Sequence, residues 1–118
     1  MRNETEIRDK IFLALGRDPK NLIFRRNVGL FYTKYGAPIR IGMNGEADLQ
    51  GFLGNQHCEM CHYPIHPKPY CVEVKDLDGE QSKDQVKFQN EIWERRGLLY
   101  VLASSVEQAL EGVYESDR

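Results

Sequence analysis

The stretch Tyr70–Lys75, with the sequence YCVEVK, reads as the central strand of the fold. Alternate side chains of a strand project to opposite faces, so Glu73 and Lys75 share one face. Val72 and Val74 then point into a hydrophobic core. The pattern therefore places an acid beside an amine. Together with a carboxylate from a neighbouring strand, such a pair is suited to holding a divalent cation against a phosphodiester.

Hydrophobic periodicity and turn residues predict the elements on either side of this strand. Apolar side chains recur every three or four residues near the N-terminus, which indicates a helix packed on one side. Ser82 followed by Gln85 is typical of a capping box that opens a second helix. In chain order we expect helix 4–16, strands 22–24, 29–32, 37–41, 47–53 and 70–75, helix 82–96, strand 98–102 and, from Ser104, helix 104–114. This order implies an α/β fold with a mixed central sheet flanked by helices.

Length, composition and charge limit the classes to which the protein can belong. At 118 residues we expect one domain over residues 1–118. Hydrophobic residues make up 41% and charged residues 29%, which is ordinary for a globular protein. A net charge of −2 argues against nucleic-acid binding by bulk charge but leaves room for a local basic face. No apolar run approaches the length of a membrane span, so we expect no membrane partner and a cytoplasmic location.

A Cys- and His-containing insert at about residues 54–69 is the second signal in the sequence. Cys-X-X-Cys presents two thiolates to one tetrahedral metal ion, and histidines or a further cysteine complete such sites. The candidate ligands for a structural Zn²⁺ are Cys58, Cys61, His62, His66 and Cys71. The alternative is a set of free intracellular thiols, with Cys71 a small buried residue of its strand. Three cysteines, an odd number, do not form a disulfide framework.

Several short motifs follow one another along the chain. They are 45–51 (GEADLQG), 72–75 (VEVK), Gly79, 82–85 (SKDQ), 96–97 (RG) and 101–104 (VLAS). In this order and spacing the sequence resembles the VRR-NUC branch of the PD-(D/E)XK nuclease superfamily, and the opening helix and segment 24–29 also fit that family. The resemblance covers nearly the whole chain and implies a restriction-endonuclease-like core. The interval between Asp48 and Glu73 departs from the family pattern because it is longer and contains the insert.

The resemblance implies metal-dependent hydrolysis of DNA phosphodiesters. Asp48 and Glu73 would supply oxygen ligands to Mg²⁺ or Mn²⁺, with the carbonyl of Val74 as an extra ligand. A metal in such a site lowers the pKa of bound water and neutralises charge that develops in the transition state. Lys75 would orient the attacking water or stabilise that charge.

Two further residues are candidates for supporting roles at the catalytic site. Glu4, on the first helix, matches an accessory acid of related nucleases and would hold a metal-bound water. Gln85 would fix Lys75 or a phosphate, although the capping box alone also accounts for this residue. The other motifs have structural alternatives too. Asp48 is explained equally by a turn, and Glu73 with Lys75 by a solvated strand face with cross-strand pairs.

Six basic residues are suited to phosphate contacts. They are Arg25, Arg26, Lys34, Arg40, Lys83 and Lys87. Lys83 and Lys87 lie four residues apart, on one helix face near Gln85. Phosphate contacts do not depend on base sequence, so this set favours a structure-selective nuclease over a sequence-specific one.

These observations lead to one hypothesis and two alternatives. The leading hypothesis is a small stand-alone endonuclease acting on branched or four-way junction DNA in a bacterial or phage-infected cell. Two symmetric cuts in a junction need two sites, so this substrate implies a homodimer. The alternatives are a nicking or restriction-like nuclease on duplex DNA and a non-catalytic, zinc-stabilised DNA-binding module. Asp48, Glu73 and Lys75 argue against the last, because a binding module has no need of that trio.

Overall fold

The computed structural model describes residues 4–26, 29–54, 56–57, 59–65 and 67–115. Within these ranges the helices are α1 (Glu4–Gly16), α2 (Lys83–Lys87) and α3 (Val106–Glu115). The strands are β1 (Asn21–Arg25), β2 (Gly29–Tyr32), β3 (Pro38–Ile41), β4 (Leu49–Leu53), β5 (Gln56–His57), β6 (Pro64–Ile65), β7 (Lys68–Val74) and β8 (Leu99–Ala103). A π-helical segment, Phe88–Trp93, and a 3-10 turn, Glu94–Arg96, follow α2 directly.

A four-stranded mixed sheet with the order β1-β4-β7-β8 forms the centre of the molecule. β4 pairs antiparallel with both β1 and β7, whereas β7 and β8 are parallel. A parallel pair needs a crossover connection, and α2 with the segment that follows it provides one. The predicted mixed α/β class is therefore confirmed, and residues 70–74 lie in the inner strand β7 as predicted.

The side chains of β7 alternate between two hydrophobic cores. Val72 and Val74 are buried in the larger core, against residues of α1 and α3. Cys71 faces the other side of the sheet, where Phe88 and Tyr100 pack with it. Burial of a Val or Leu side chain is worth about 1.5–3 kcal/mol, so both faces of the sheet are covered by stabilising contacts.

The helix after Ser82 begins as predicted but then changes its hydrogen-bonding pattern. Gln85 N donates to Ser82 Oγ (3.2 Å) and Ser82 N donates to Gln85 Oε1 (2.8 Å), so the capping box is confirmed. Only Lys83–Lys87 is α-helical, instead of the predicted run to about residue 96. The chain continues with wider π turns and then a tight 3-10 turn, which ends at Gly97 in the left-handed region (φ 77°). Apolar periodicity does not reveal such a change of pitch.

The last helix is capped by Ser105 and not by the predicted Ser104. Gln108 N donates to Ser105 Oγ (3.2 Å), and Ser104 N donates to Gln108 Oε1 (2.6 Å). α3 accordingly begins at Val106. Each serine has a Glu or Gln three residues later, with Glu107 following Ser104, so the capping motif alone does not choose between them.

Two hairpins lie outside the central sheet. β2 and β3 form one, and β5 and β6 form a short one within the predicted insert at 54–69. The radius of gyration, 15.8 Å, exceeds the value of about 13.5 Å expected for a compact domain of this length, in keeping with segments that project from it. None of the described helices combines the length and the apolar character needed to cross a membrane.

Candidate active site

Strand pairing brings Asp48 and Glu73 together. Asp48 immediately precedes β4, one residue outside the strand in which it was predicted. Leu49 of β4 pairs with Val72 of β7 in antiparallel register, which sets Asp48 opposite Glu73 on one face. Asp48 Oδ2 also accepts a hydrogen bond from the Val74 amide (2.9 Å). Two carboxylates that are distant in sequence therefore meet at one end of the sheet.

Glu73 is a buried acid whose hydrogen bonding is incomplete. Its side chain is only 1% exposed. Gln85 Nε2 donates to Oε1 (3.1 Å), whereas Oε2 is buried and receives no hydrogen bond from the described residues. Burial and then the charge of Asp48 raise the pKa of Glu73 to about 9, and Lys75 opposes this shift.

The same arrangement fits a hard divalent cation. A buried carboxylate oxygen without a donor is costly, and a bound cation would satisfy it. Mg²⁺ is typically held by one or two carboxylates, with waters and substrate phosphates completing its shell. Of the residues in the described ranges, no three His, Cys, Asp or Glu side chains form a group suited to a metal. Asp48 and Glu73 would thus be the two protein carboxylates, and the Val74 carbonyl stays a predicted third ligand.

Lys75 and Glu4 lie at the same end of the sheet. Lys75 follows β7, half-buried, and its amide donates to the Ala103 carbonyl (3.0 Å), which continues the parallel pairing by one residue. A Cβ atom built at Gly79 would lie 3.3 Å from both Glu4 Oε1 and Lys75 Cβ. The charge of Glu4 also contributes to the raised pKa of Glu73. Glu4 therefore lies close enough for its charge to act on Glu73, and its role as an accessory acid stays a prediction.

Gln85 connects the start of α2 to the carboxylates. Its Oε1 completes the capping box with the Ser82 amide while its Nε2 donates to Glu73 Oε1. The side-chain amide thus contacts Glu73, whereas the sequence predicted a contact with Lys75 or a phosphate. Because the cap orients this side chain, one residue serves both the helix and the site.

Gly45 allows the loop before β4 to lie against α2. Its φ is 78°, and a Cβ atom there would lie 2.0 Å from the Asp84 carbonyl oxygen, well inside van der Waals contact. Only glycine permits both the left-handed conformation and this close approach. The loop that carries Asp48 is thereby held beside Gln85.

A groove of about 690 Å³ lies beside Asp48, and its wall contains three arginines as well as the acids Glu46 and Asp84. Asp48 and Gln85 form part of its wall, together with Arg8, Arg26 and Arg40. Arg26 Nε donates to Glu46 Oε1 (2.8 Å), which fixes its guanidinium. Arg8 was not among the residues predicted to contact phosphate. Its position four residues after Glu4, on the same face of α1, was the available signal.

The other basic residues predicted to contact phosphate lie away from this groove. Arg25 pairs with Asp9 (3.0 Å) and lies 5.1 Å from the centre of the Phe12 ring, on the α1 side of the sheet. Lys34 lies in the β2–β3 turn. Lys83 and Lys87 share one face of α2, as predicted, but line a separate depression.

The predicted zinc ligands do not come together within the described residues. Cys58 and His66 lie outside the described ranges. Cys61 and His62 are exposed, and His62 has a left-handed φ of 61°. Cys71 is buried in the smaller core, where desolvation raises the pKa of its thiol. Packing accounts for Cys71, and a zinc site in the insert stays a prediction.

Comparison with known proteins does not assign the chain to a family. No family model, no curated protein and no solved structure matches the chain. The support for a function therefore comes from the arrangement of the residues themselves.

Proposed function

We propose that the protein is a divalent-metal-dependent endodeoxyribonuclease that hydrolyses DNA phosphodiesters. One observation carries the proposal: Glu73 is a buried carboxylate with an unsatisfied oxygen, and Asp48 and Lys75 accompany it on the same face. A structural ion pair between Glu73 and Lys75 does not explain why a second acid is placed against a buried one. Two acids in contact destabilise the metal-free fold, and a bound cation reverses the sign of that interaction.

The order of the elements supports a restriction-endonuclease-like core of the VRR-NUC type. α1 precedes a run of three antiparallel strands of the central sheet, and a helical crossover then leads to a parallel edge strand. Asp48 at the start of the second of these strands and Glu73 near the end of the third occupy the positions that the motif resemblance assigns to metal ligands. This order of elements supports the proposal, although a fold by itself does not specify a reaction.

The roles of the chain's own residues follow from their chemistry. Mg²⁺ or Mn²⁺, held by Asp48 and Glu73, would activate a water molecule and neutralise charge on the phosphoryl oxygens. Lys75 is a hydrogen-bond donor and a positive charge, so we assign it to orienting the attacking water and stabilising developing negative charge. Gln85 keeps the Glu73 carboxylate in one orientation. Glu4 would accept a hydrogen bond from a water at the same edge of the site.

The substrate we propose is branched or four-way junction DNA. The groove arginines Arg8, Arg26 and Arg40 would contact phosphates, which carry no sequence information. This favours recognition of DNA shape. Symmetric cleavage of a junction by a chain with one site needs two copies of the chain. We therefore propose that the protein acts on the junction as a homodimer. The cytoplasm of a bacterial or phage-infected cell is the corresponding compartment.

Cleavage of labelled DNA tests the proposal. A four-way junction, a flap and a linear duplex are each incubated with Mg²⁺, Mn²⁺ or EDTA. The wild-type protein should cut the junction only with a metal, and Lys75→Ala and Glu73→Gln should abolish cutting. Lys10→Ala removes a lysine from an exposed part of α1 and serves as the matched control, which should cut as the wild type does.

The outcomes separate the hypotheses. Equal cutting of the linear duplex would instead indicate a nicking or restriction-like nuclease. Binding without cutting in any metal would contradict a nuclease function and favour a non-catalytic DNA-binding module.

A structural Zn²⁺ in the insert is a separate proposal. It rests on the Cys-X-X-Cys pair Cys58 and Cys61, with His62 and His66 as further ligands. Elemental analysis of protein purified without added metal should then find about one zinc per chain. Folded protein free of zinc would contradict it.

A further inference from the structure

The segment from Arg25 to Gly45 differs in charge from the rest of the chain. It contains four cations and no Asp or Glu, although the whole chain has a net charge of −2. Arg25 and Arg26 pair with Asp9 and Glu46 outside the segment, so Lys34 and Arg40 are the cations of the hairpin itself. The β2–β3 hairpin lies within this segment. A positive surface on an otherwise acidic chain indicates a negatively charged partner.

The hairpin also exposes aromatic side chains that lie outside both hydrophobic cores. Phe31, Tyr32 and Tyr35 are 45%, 66% and 85% exposed, and every residue of β3 is exposed. Among the described strands, β2 and β3 pair only with each other. None of these side chains belongs to either hydrophobic core. An exposed apolar cluster of this kind is typical of a binding surface.

The turn of the hairpin has a defined structure. Thr33 Oγ1 accepts hydrogen bonds from the amides of Tyr35 (3.3 Å) and Ala37 (3.1 Å), and Gly36 supplies the left-handed position (φ 83°). Lys34 Nζ lies 5.1 Å from the centre of the Tyr35 ring. The turn therefore presents a cation and an aromatic face together.

The hairpin is continuous with the candidate active site. Phe31, Arg40 and Ile41 line the same groove as Asp48 and Gln85. A DNA strand bound at Arg40 would therefore lie beside the groove whose wall includes Asp48.

We propose that the hairpin binds unpaired bases next to the scissile phosphodiester. Exposed aromatic rings stack on unpaired bases, and neighbouring cations hold the phosphates of the same strand. Tyr32 and Tyr35 are the stacking residues, and Lys34 and Arg40 are the phosphate contacts. The substrate class is thus DNA in which duplex gives way to single strand. The inference specifies the substrate of the proposed nuclease. It rests on that proposed function, because the choice of DNA as the ligand comes from it.

Charge argues against the alternative that a second copy of the chain covers the hairpin. A symmetric dimer through this surface would place Lys34 and Arg40 of two hairpins against each other, with no acid in either hairpin to offset them. A nucleic-acid strand instead complements both features of the hairpin, its charge and its aromatic rings.

Binding measured without cleavage tests the inference. The full-length protein is titrated in EDTA against fluorescently labelled splayed-arm DNA and against a blunt duplex of the same length, with fluorescence anisotropy as the readout. The double variant Tyr32→Ala/Tyr35→Ala should bind splayed-arm DNA at least about fivefold more weakly, with little change on the duplex. The control Tyr32→Phe/Tyr35→Phe keeps both rings and should bind as the wild type does. Thermal melting checks that all three proteins are folded.

Two results would overturn the inference. One is equal affinity of the alanine variant and the wild type for splayed-arm DNA. The other is a wild-type dimer that the alanine variant converts to a monomer in light scattering, which would identify the hairpin as a self-association surface. Hairpin-dependent binding without cleavage in Mg²⁺ or Mn²⁺ would support the inference and contradict only the nuclease function, so the two failures are distinguishable.

Discussion

Gln85 donates a hydrogen bond from Nε2 to Glu73 Oε1 over 3.1 Å, and its Oε1 accepts a hydrogen bond from the backbone amide of Ser82. The Gln85 side chain therefore connects the start of α2 to a buried acid on strand β7. Partners of this kind orient metal-binding carboxylates and contribute to affinity without touching the metal.

Replacing Gln85 by alanine should reduce both stability and activity. Loss of the hydrogen bond from the Ser82 amide to the Gln85 side chain costs about 1 kcal/mol in the free energy of unfolding, and loss of the Glu73 contact should lower metal-dependent cleavage by about 10–100-fold. Ser82→Ala is the matched control because it removes the Oγ acceptor of the cap and leaves the amide of Gln85 in place. It should match the loss of stability and retain most of the cleavage. Equal loss of cleavage in the two variants would mean that Gln85 acts only through the helix.

The raised pKa of Glu73 predicts how the stability of the metal-free protein depends on pH. The acid titrates near 4.5 in the unfolded chain and near 9 in the folded one. Below pH 4.5 both states are protonated, and between 4.5 and 9 only the folded state retains the proton, so stability falls as pH rises through this window. Glu73→Gln cannot ionise and should remove this decline. At pH 7 we expect the variant to be more stable by roughly 2–3 kcal/mol in EDTA, measured by urea unfolding at several pH values.

Metal should reverse that order of stability. Mg²⁺ or Mn²⁺ binds the ionised acid, so it should raise the melting temperature of the wild type and release protons at neutral pH. Glu73→Gln should show neither effect. A wild-type melting temperature that does not change with millimolar metal would contradict the site.

Gly45→Ala should disturb the site through the backbone. The left-handed conformation alone costs a non-glycine residue about 1–2 kcal/mol, and the Asp84 carbonyl adds a clash at Gly45. Gly97→Ala is the matched control, since its φ of 77° is left-handed too but no described atom lies within 4 Å of an added Cβ. Urea unfolding should show a larger loss for Gly45→Ala, accompanied by loss of cleavage. Equal losses of stability would show that the loop moves away from α2 at little cost.

Arg8→Ala should weaken DNA binding in a manner that depends on salt. If Arg8 contacts one phosphate, its removal should reduce the slope of log K against log salt concentration by about 1. Arg25→Ala provides the control, because Arg25 is engaged with Asp9 and Phe12 outside the groove. Affinities measured in EDTA over a range of salt concentrations distinguish the two variants. An unchanged slope for Arg8→Ala would remove this residue from the DNA-binding surface.

Local patterns predicted much of the fold because their causes are local. The apolar spacing of the first helix predicted α1 at its observed bounds, and the alternation in β7 predicted which side chains share a face. The π-helical segment was not predictable, since a change in turn width leaves no signal in the capping or apolar pattern. Ser104 and Ser105 offered equivalent capping motifs, and only the backbone geometry selected Ser105.

The sequence by itself determined that Glu73 and Cys71 lie on one face of a buried strand, opposite Val72 and Val74, because strand geometry alternates whatever the partner is. Only the tertiary structure decided that Asp48 meets Glu73, since the β4–β7 register closes a long interval of chain. It also decided the burial that raises the pKa of Glu73 and the meeting of Arg8 with Arg40 in one groove. Side-chain direction is a property of neighbouring residues, whereas desolvation and charge contact depend on which distant segments pack together.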